Sequence, residues 1–243
     1  MTEAALVFGA GASAGIGGAA SRRFAREGLA VIAVGRTQEK LDALAAEIRA
    51  AGGRAVGVVA DVTRASEMGR AFDAVEKETG APPALVVYNA GNMAAGPIAE
   101  MSDEFFEATW RVCAFGGFLC GREVAKRMVP RGNGTLIFTG ATASLRARPP
   151  FTAFASAKAA ERALAGGLAR EFGPKGVHVA HVIVDGVIDG ELVNSRMPQI
   201  KQNLGAEGML SPDAIADAYW TLHRQQRSAW TFELDLRPYK EQF

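Results

Sequence analysis

The sequence predicts a single α/β domain, one doubly wound parallel sheet of about seven strands with helices on both faces. Three observations lead there. Short apolar runs rich in β-branched residues alternate with longer segments of helical period, the pattern of a parallel sheet covered on both sides. No Pro/Gly/Ser-rich linker, internal repeat or low-complexity tract divides the 243 residues, so residues 1–243 are expected to share one core. Apolar residues make up 49% and charged residues 22%, yet no uninterrupted apolar run approaches the roughly 18 to 20 residues of a membrane span.

The elements follow in chain order. Strand Ala4–Ala10 leads through a glycine string into helix Gly17–Gly28, and strand Ala30–Gly35 into helix Gln38–Ala51. Strand Ala55–Ala60 precedes helix Arg64–Thr79, and strand Ala84–Tyr88 precedes a long helix, Asp103–Met128. Strand Gly134–Thr139, helix Ala153–Phe172 and strand Val177–Val184 come next. Helix Pro212–Arg227 has Ser211 as its N-cap and Pro212 at its first position, and strand Ala229–Leu236 closes the sheet. Right-handed crossovers then place a ligand crevice at the carboxyl ends of the strands.

Lys plus Arg (27) nearly balances Asp plus Glu (26), which leaves no field of one sign for nucleic acid or an anionic membrane surface. Met1, Thr2 and Glu3 run straight into apolar Ala4–Phe8 without a basic region or cleavage pattern, so a cytoplasmic location is expected. Cys113 and Cys120 are expected as reduced, buried residues, since a bridge within one helix is implausible and a metal would lack partners.

After the first strand comes Gly9-Ala10-Gly11-Ala12-Ser13-Ala14-Gly15-Ile16-Gly17, at the head of a helix within a βαβ unit. Glycines there permit a tight turn and bring backbone amides to a pyrophosphate on the helix N-terminus, the phosphate site of a Rossmann-type dinucleotide domain. At the end of the second strand, Gly35-Arg36-Thr37 offers a guanidinium where an acidic residue would select NAD; Arg36 therefore favours NADP(H), with NAD(H) possible.

These residues resemble the short-chain dehydrogenase/reductase family over essentially the whole chain. Gly11, Gly15 and Gly17 match the glycines of its Thr-Gly-x-x-x-Gly-x-Gly loop, with Ala10 at the Thr and two extra residues after the strand. Asp61-Val62 resembles the family's adenine-contacting element. Asn89-Ala90-Gly91 resembles Asn-Asn-Ala-Gly, with Tyr88 at the first Asn. Asp185-Gly186-Val187-Ile188-Asp189 resembles Pro-Gly-x-Ile-x-Thr, whose backbone receives the carboxamide; Asp185 replaces the Pro and Gly190 the Thr. The resemblance thus implies cofactor contacts from Ile16, Val62, Ala90, Gly186 and Ile188 besides the glycines, Arg36, Asp61 and Asn89.

The family's general acid is a Tyr four residues before a Lys, helped by a Ser and by an Asn of the long helix. Here Phe151-Thr152-Ala153-Phe154-Ala155-Ser156-Ala157-Lys158 retains the Lys and places Phe154 at the Tyr. Ala141 falls at the Ser, Thr142 faces the other side of the strand, and Val112-Cys113-Ala114-Phe115-Gly116 puts Cys113 at the Asn. Lys158 is expected to bond the nicotinamide ribose. Asp185 and Asp189 read as solvated loop carboxylates or as acid/base groups near the nicotinamide, and His178 and His181 as core or surface residues that point to opposite strand faces or to different partners. Two functions fit: an NADP(H)-dependent oxidoreductase acting on an alcohol, carbonyl or enoyl group with a degraded Ser-Tyr-Lys site, and a catalytically silent NADP(H)-binding sensor or scaffold. Residues 191–208, with Leu192, Val193, Met197, Ile200 and Leu204, and Met209 just beyond them, read as an apolar substrate lid. Small residues on the long helices, Ala114, Gly116, Gly117, Ala159, Ala160, Ala163, Gly166 and Gly167, point to a homodimer or homotetramer.

Overall fold

The computed structural model describes residues 2–11 and 13–241; Met1, Ala12, Gln242 and Phe243 lie outside the description, as do the side chains of Leu192 and Arg196. Seven parallel strands, β1 (Ala4–Phe8), β2 (Ala30–Gly35), β3 (Arg54–Val59), β4 (Leu85–Tyr88), β5 (Thr135–Ala141), β6 (His178–Val184) and β7 (Glu233–Leu236), form one sheet in the order β3-β2-β1-β4-β5-β6-β7. The order reverses between β1 and β4, which opens a crevice at their carboxyl ends.

The helices cover both faces. α1 (Ile16–Arg26), α2 (Gln38–Ala50) and α9 (Pro212–His223) pack on one face, where Ala5 and Val7 of β1 meet Phe24, Leu41, Leu44, Ile215 and Tyr219. α3 (Ala65–Thr79), α4 (Asp103–Trp110), α5 (Gly116–Arg127) and α6 (Thr152–Phe172) lie on the other side, where the alternate residues Leu6 and Phe8 meet Met68, Phe72, Leu119 and Phe172. Because consecutive residues of β1 are buried on opposite faces, the strand reads as a continuous apolar run and not as an alternation. α7 (Glu191–Arg196) and α8 (Pro198–Leu204) fold the expected lid segment into two short helices. Among the described residues no helix is long and apolar enough to cross a membrane.

The long helix predicted over Asp103–Met128 is interrupted by a π-helical turn at Arg111–Phe115. The cause is Tyr88, whose hydroxyl donates to the Val112 carbonyl and draws it out of the helical ladder. Gly116 makes this possible, since a Cβ there would meet the Tyr88 ring and hydroxyl. Gly116 and Gly117 are therefore spacers against Tyr88 and Phe138 in the core, not surface residues for a partner helix; the exposed small residues are Ala159, Ala163 and Gly167 on α6. The helix predicted to reach Arg227 stops at His223, and β7 begins at Glu233 instead of Ala229. Between them Gln225 bonds Thr231 through both ends of its amide, at 2.8 Å each, which ties the connection into a turn. Both cysteines are free and buried.

Candidate functional site

A cleft of about 930 Å³ runs along the carboxyl ends of the strands from Gly9 and Gly11 past Arg36 and Asp61 to Gly186–Ile188. At the other end, beside the glycine string, the chain turns at Gly9, with φ +79, and the amides of Gly9 and Ala10 both donate to the Val34 carbonyl at 2.9 and 3.0 Å. A Cβ on Gly9 would lie 2.8 Å from the carbonyl carbon and oxygen of Asn89, whose own amide donates to the Gly9 carbonyl at 3.1 Å. Gly17 packs beneath this turn, its Cβ position 2.8 Å from Ala10 Cα. Around Gly11 none of the described residues lies within 4 Å of a Cβ position. The turn glycine is thus Gly9, and the extra residues of the loop follow it. Arg22 fastens that loop, its Nη1 donating to Ser13 O and Ser13 Oγ at 2.7 and 2.6 Å. Gly15 is the N-cap of α1 and supplies no side-chain cap, so the first amides of the helix are left for an anion.

Ile16, Val62, Ala90 and Gly91 line the cleft floor. Asp61 Oδ1 accepts from the amide and hydroxyl of Thr63 at 2.9 and 2.7 Å. Partial burial pushes its carboxyl up, but those bonds and the charges of Arg64 and Arg36 outweigh it and hold the group below its ordinary value. Arg36 is exposed on the rim beside Thr37 and Lys40, and Lys40 Nζ reaches Glu191 of α7 at 3.4 Å.

At the end of the cleft by Gly186–Ile188 the walls are apolar: Met93, Phe151, Val187, Val193, Met197 and Ile200, with Asn92 and Ser195 as polar exceptions. The Oδ1 of Asn92 is buried and has no hydrogen-bond partner among the described residues. Phe151 lines this space; Phe154 is half-buried in the first turn of α6. Ala141 ends β5, and its amide donates to Ser144 Oγ at 3.0 Å. Lys158 is turned inward, its Nζ donating to the Thr139 carbonyl and to Glu161 Oε2 at 2.7 Å each. It sits behind the cleft wall: a Cβ on Gly91 would lie 3.7 Å from Lys158 Nζ and 3.9 Å from Cys113 Sγ. Burial pushes the Cys113 thiol up.

Asp185 is not a solvated carboxylate. It is 1% exposed and accepts from Arg146 Nη2 at 2.9 and 2.6 Å, from the Thr142 hydroxyl at 2.6 Å and from Arg237 at 3.2 Å. Those donors fix the carboxylate as a structural clamp between β6, the turn after β5 and the segment after β7. Asp189 stays half-exposed and bonds Lys201 and Asn194 at 2.9 Å, which clasps α7 and α8. His178 stacks on Trp230 at 4.9 Å, and His181 bonds Glu233 at 3.1 Å, both in the interior.

A model of the family described as short chain dehydrogenase matches residues 3–201. The chain belongs to the short-chain dehydrogenase family. Among curated relatives, this short-chain dehydrogenase is similar to the A-factor type gamma-butyrolactone 1′-reductase (1S-forming) of Streptomyces virginiae, 35% identical over 82% of this chain and 77% of that protein. Among solved structures it resembles a short-chain dehydrogenase from Rhodopseudomonas palustris, with TM-score 0.83 and 40% identity over 98% of this chain and 99% of the other. A metagenomic short-chain oxidoreductase solved in complex with NADP superimposes with TM-score 0.82 at 26% identity, over 97% of each chain. It is an oxidoreductase by family.

Three residues of this site escaped sequence reasoning. Gly9 was hidden by the denser glycines after it, although its place at the end of β1 was a signal. Glu161 stands three residues after Lys158, a spacing that puts both on one helix face. Asn92 directly follows Gly91 and carried no signal beyond its polarity.

Proposed function

We propose that this protein binds NADP(H) along the cleft and acts as an oxidoreductase on an apolar alcohol, carbonyl or enoyl compound, with an acid apparatus that lacks the family's Tyr and Ser. The observation that carries this reading is the single cleft joining a phosphate turn at Gly9, a basic rim at Arg36 and an apolar end at Phe151 and Val187. The neighbour solved with NADP supports the choice of dinucleotide.

The residues present suit such a cofactor. The Gly9–Gly15 loop and the first amides of α1 would hold the pyrophosphate, and the bare Gly9 turn gives it close backbone approach. Arg36, with Lys40 beside it, would pair with a 2′-phosphate, which NADH lacks; NAD(H) is accepted more weakly. Asp61 and Val62 flank the adenine, Asn89-Ala90-Gly91 form the floor under the ribose, and Gly186 and Ile188 offer backbone groups to the carboxamide. When bound, the nicotinamide supplies hydride to the substrate carbon or takes it away.

The proton is the weak point of the apparatus. The side chains of Phe154 and Ala141 carry no exchangeable hydrogen, and Asp185 is locked among its donors. Water or the substrate itself then delivers the proton, and carbonyl reduction runs about 10²–10⁴-fold below what a general acid would give. The second reading, a silent NADP(H)-binding sensor or scaffold, is favoured by the same inert side chains. Turnover separates the two: the protein is incubated with NADPH and a panel of aldehydes, diketones, quinones and enones, beside Phe154→Tyr, Ala141→Ser and their double variant, with cofactor binding checked in each. Slow wild-type turnover raised non-additively in the double variant supports the oxidoreductase. NADPH binding with no turnover in any of the four proteins supports the sensor.

The same reading carries an oligomer. Phe105, Phe106, Trp110 and Phe118 of α4 and α5 are 38–43% exposed, and Ala159, Ala163 and Gly167 leave the α6 surface flat. A homodimer or homotetramer covers these faces; a monomer in sedimentation at micromolar concentration contradicts it.

A further inference from the structure

Glu161 is 0% exposed in the middle of α6, where a carboxylate is costly unless it is paired. Its partner is Lys158, 4% exposed, whose ammonium bridges Glu161 Oε2 and the Thr139 carbonyl at 2.7 Å each. Glu161 Oε1 has no hydrogen-bond partner among the described residues. The carboxylate is therefore held by one cation alone, and that cation has its acceptors on the interior side of Gly91.

The groups facing this pair leave its charge balance intact. Cys113 of the π-turn is a thiol that burial keeps protonated, and Tyr88 of β4 donates its hydroxyl to Val112. Tyr219 of α9 bonds the Thr139 hydroxyl at 2.7 Å. Burial pushes His181 of β6 down to about 4, so it is neutral, and Arg162 is bound bidentately by Glu233 at 2.6 and 2.8 Å.

We propose that Glu161 is a positioning residue that anchors the Lys158 ammonium against β5 and cancels its charge, so that Lys158 stands behind the cleft wall as half of a neutral pair and not as a free cation. In the apparatus that the family resemblance implies, the free charge of the lysine acidifies a phenol four residues earlier. Here an anion 2.7 Å from the ammonium opposes that field at every nearby point. Burial pushes the Glu161 carboxyl up to about 7 against the pull of Lys158, so the pair is ionised throughout the alkaline range where a phenol titrates. The inference rests on the proposed function only for the location of the cleft.

Phe154→Tyr installs a phenol that reports the local charge. Its ionisation is read as the ultraviolet difference between the variant and its Phe154 parent, which removes the three native tyrosines. With Glu161 in place the phenol is expected near its ordinary value of about 10. In Phe154→Tyr/Glu161→Gln it should fall by about 1–3 units, as for a group beside an unopposed cation. Equal values in the two backgrounds, or a phenol already depressed with Glu161 present, overturn the proposal. A third protein, Phe154→Tyr/Lys158→Met/Glu161→Leu, replaces the buried pair by apolar groups of similar volume, a change that folds well elsewhere, and keeps the test alive should Glu161→Gln not fold. Its phenol should match that of Phe154→Tyr; a clear rise shows that Lys158 acted as a free cation and overturns the proposal. NADPH affinity of the same proteins is recorded separately, so that a phenol shift without any NADPH binding discards the cofactor reading and sustains the pair.

Discussion

Replacing Gly9 with alanine tests the path of the phosphate loop. At φ +79 an L-residue costs about 1–2 kcal/mol. The added Cβ also falls 2.8 Å from the carbonyl carbon and oxygen of Asn89, backbone atoms that cannot swing aside. A shift of β1 or of the loop after β4 then costs about 1–3 kcal/mol more. Gly9→Ala is thus expected to lose about 2–5 kcal/mol, which for a domain of this size lowers the melting midpoint by roughly 5–15 °C. Gly11→Ala is the control, since its Cβ meets nothing within 4 Å and its φ lies outside the left-handed region. Its stability should hold or rise by about 0.4–1 kcal/mol through the less flexible unfolded chain. Urea unfolding followed by circular dichroism measures both, and NADPH titration follows the site. If Gly11→Ala is the damaging change and Gly9→Ala is silent, the turn lies at Gly11 and not at Gly9.

Arg36→Ala should weaken NADPH binding at least about tenfold, since a charged hydrogen bond is worth about 1.5–3 kcal/mol, and leave NADH binding unchanged; calorimetry showing equal losses removes Arg36 from the phosphate site. Asp185→Ala strands Arg146 beside a buried gap, and a loss of about 3 kcal/mol in urea unfolding is expected, against almost none for a solvated carboxylate. Tyr88→Phe deprives the Val112 carbonyl of its donor and should cost about 1–3 kcal/mol; unchanged stability means that the π-turn does not depend on Tyr88. Burial pushes His181 and His223 down to about 4 and lowers His178 as well. Since unfolded imidazoles bind protons near 6.5, the native state is fully favoured above that pH and loses stability as the pH falls toward about 4. Glu161, raised by burial to about 7, acts in the opposite sense between 4.5 and 7, but three imidazoles outweigh one carboxyl. The melting midpoint should therefore fall from pH 6.5 to pH 4.5, more steeply in Glu161→Gln; a flat profile contradicts the buried neutral histidines.

The sequence by itself determined the layers and the crevice. A strand covered on both faces must be apolar at every position, so β2 was legible at its true bounds, and a helix covered on one face must repeat its apolar residues every third or fourth place, so α2 and α3 were legible to within a residue. A glycine string after β1 was legible, but not which glycine makes the turn, because the close approach of Gly9 to the Asn89 backbone is made only by the fold. Tertiary structure alone decided which polar group meets which. Tyr88 breaks the helix at Val112 from a strand 24 residues away, and Arg146 captures Asp185 from 39 residues away. Glu161 follows Lys158 closely in the chain, yet only the burial of that helix face under β5 turns two surface-type charges into a neutral pair. Local periodicity records which side of an element leaves water, because each residue meets that requirement alone. A buried hydrogen bond or ion pair needs two groups at one place, and their meeting is fixed by the folding of everything between them.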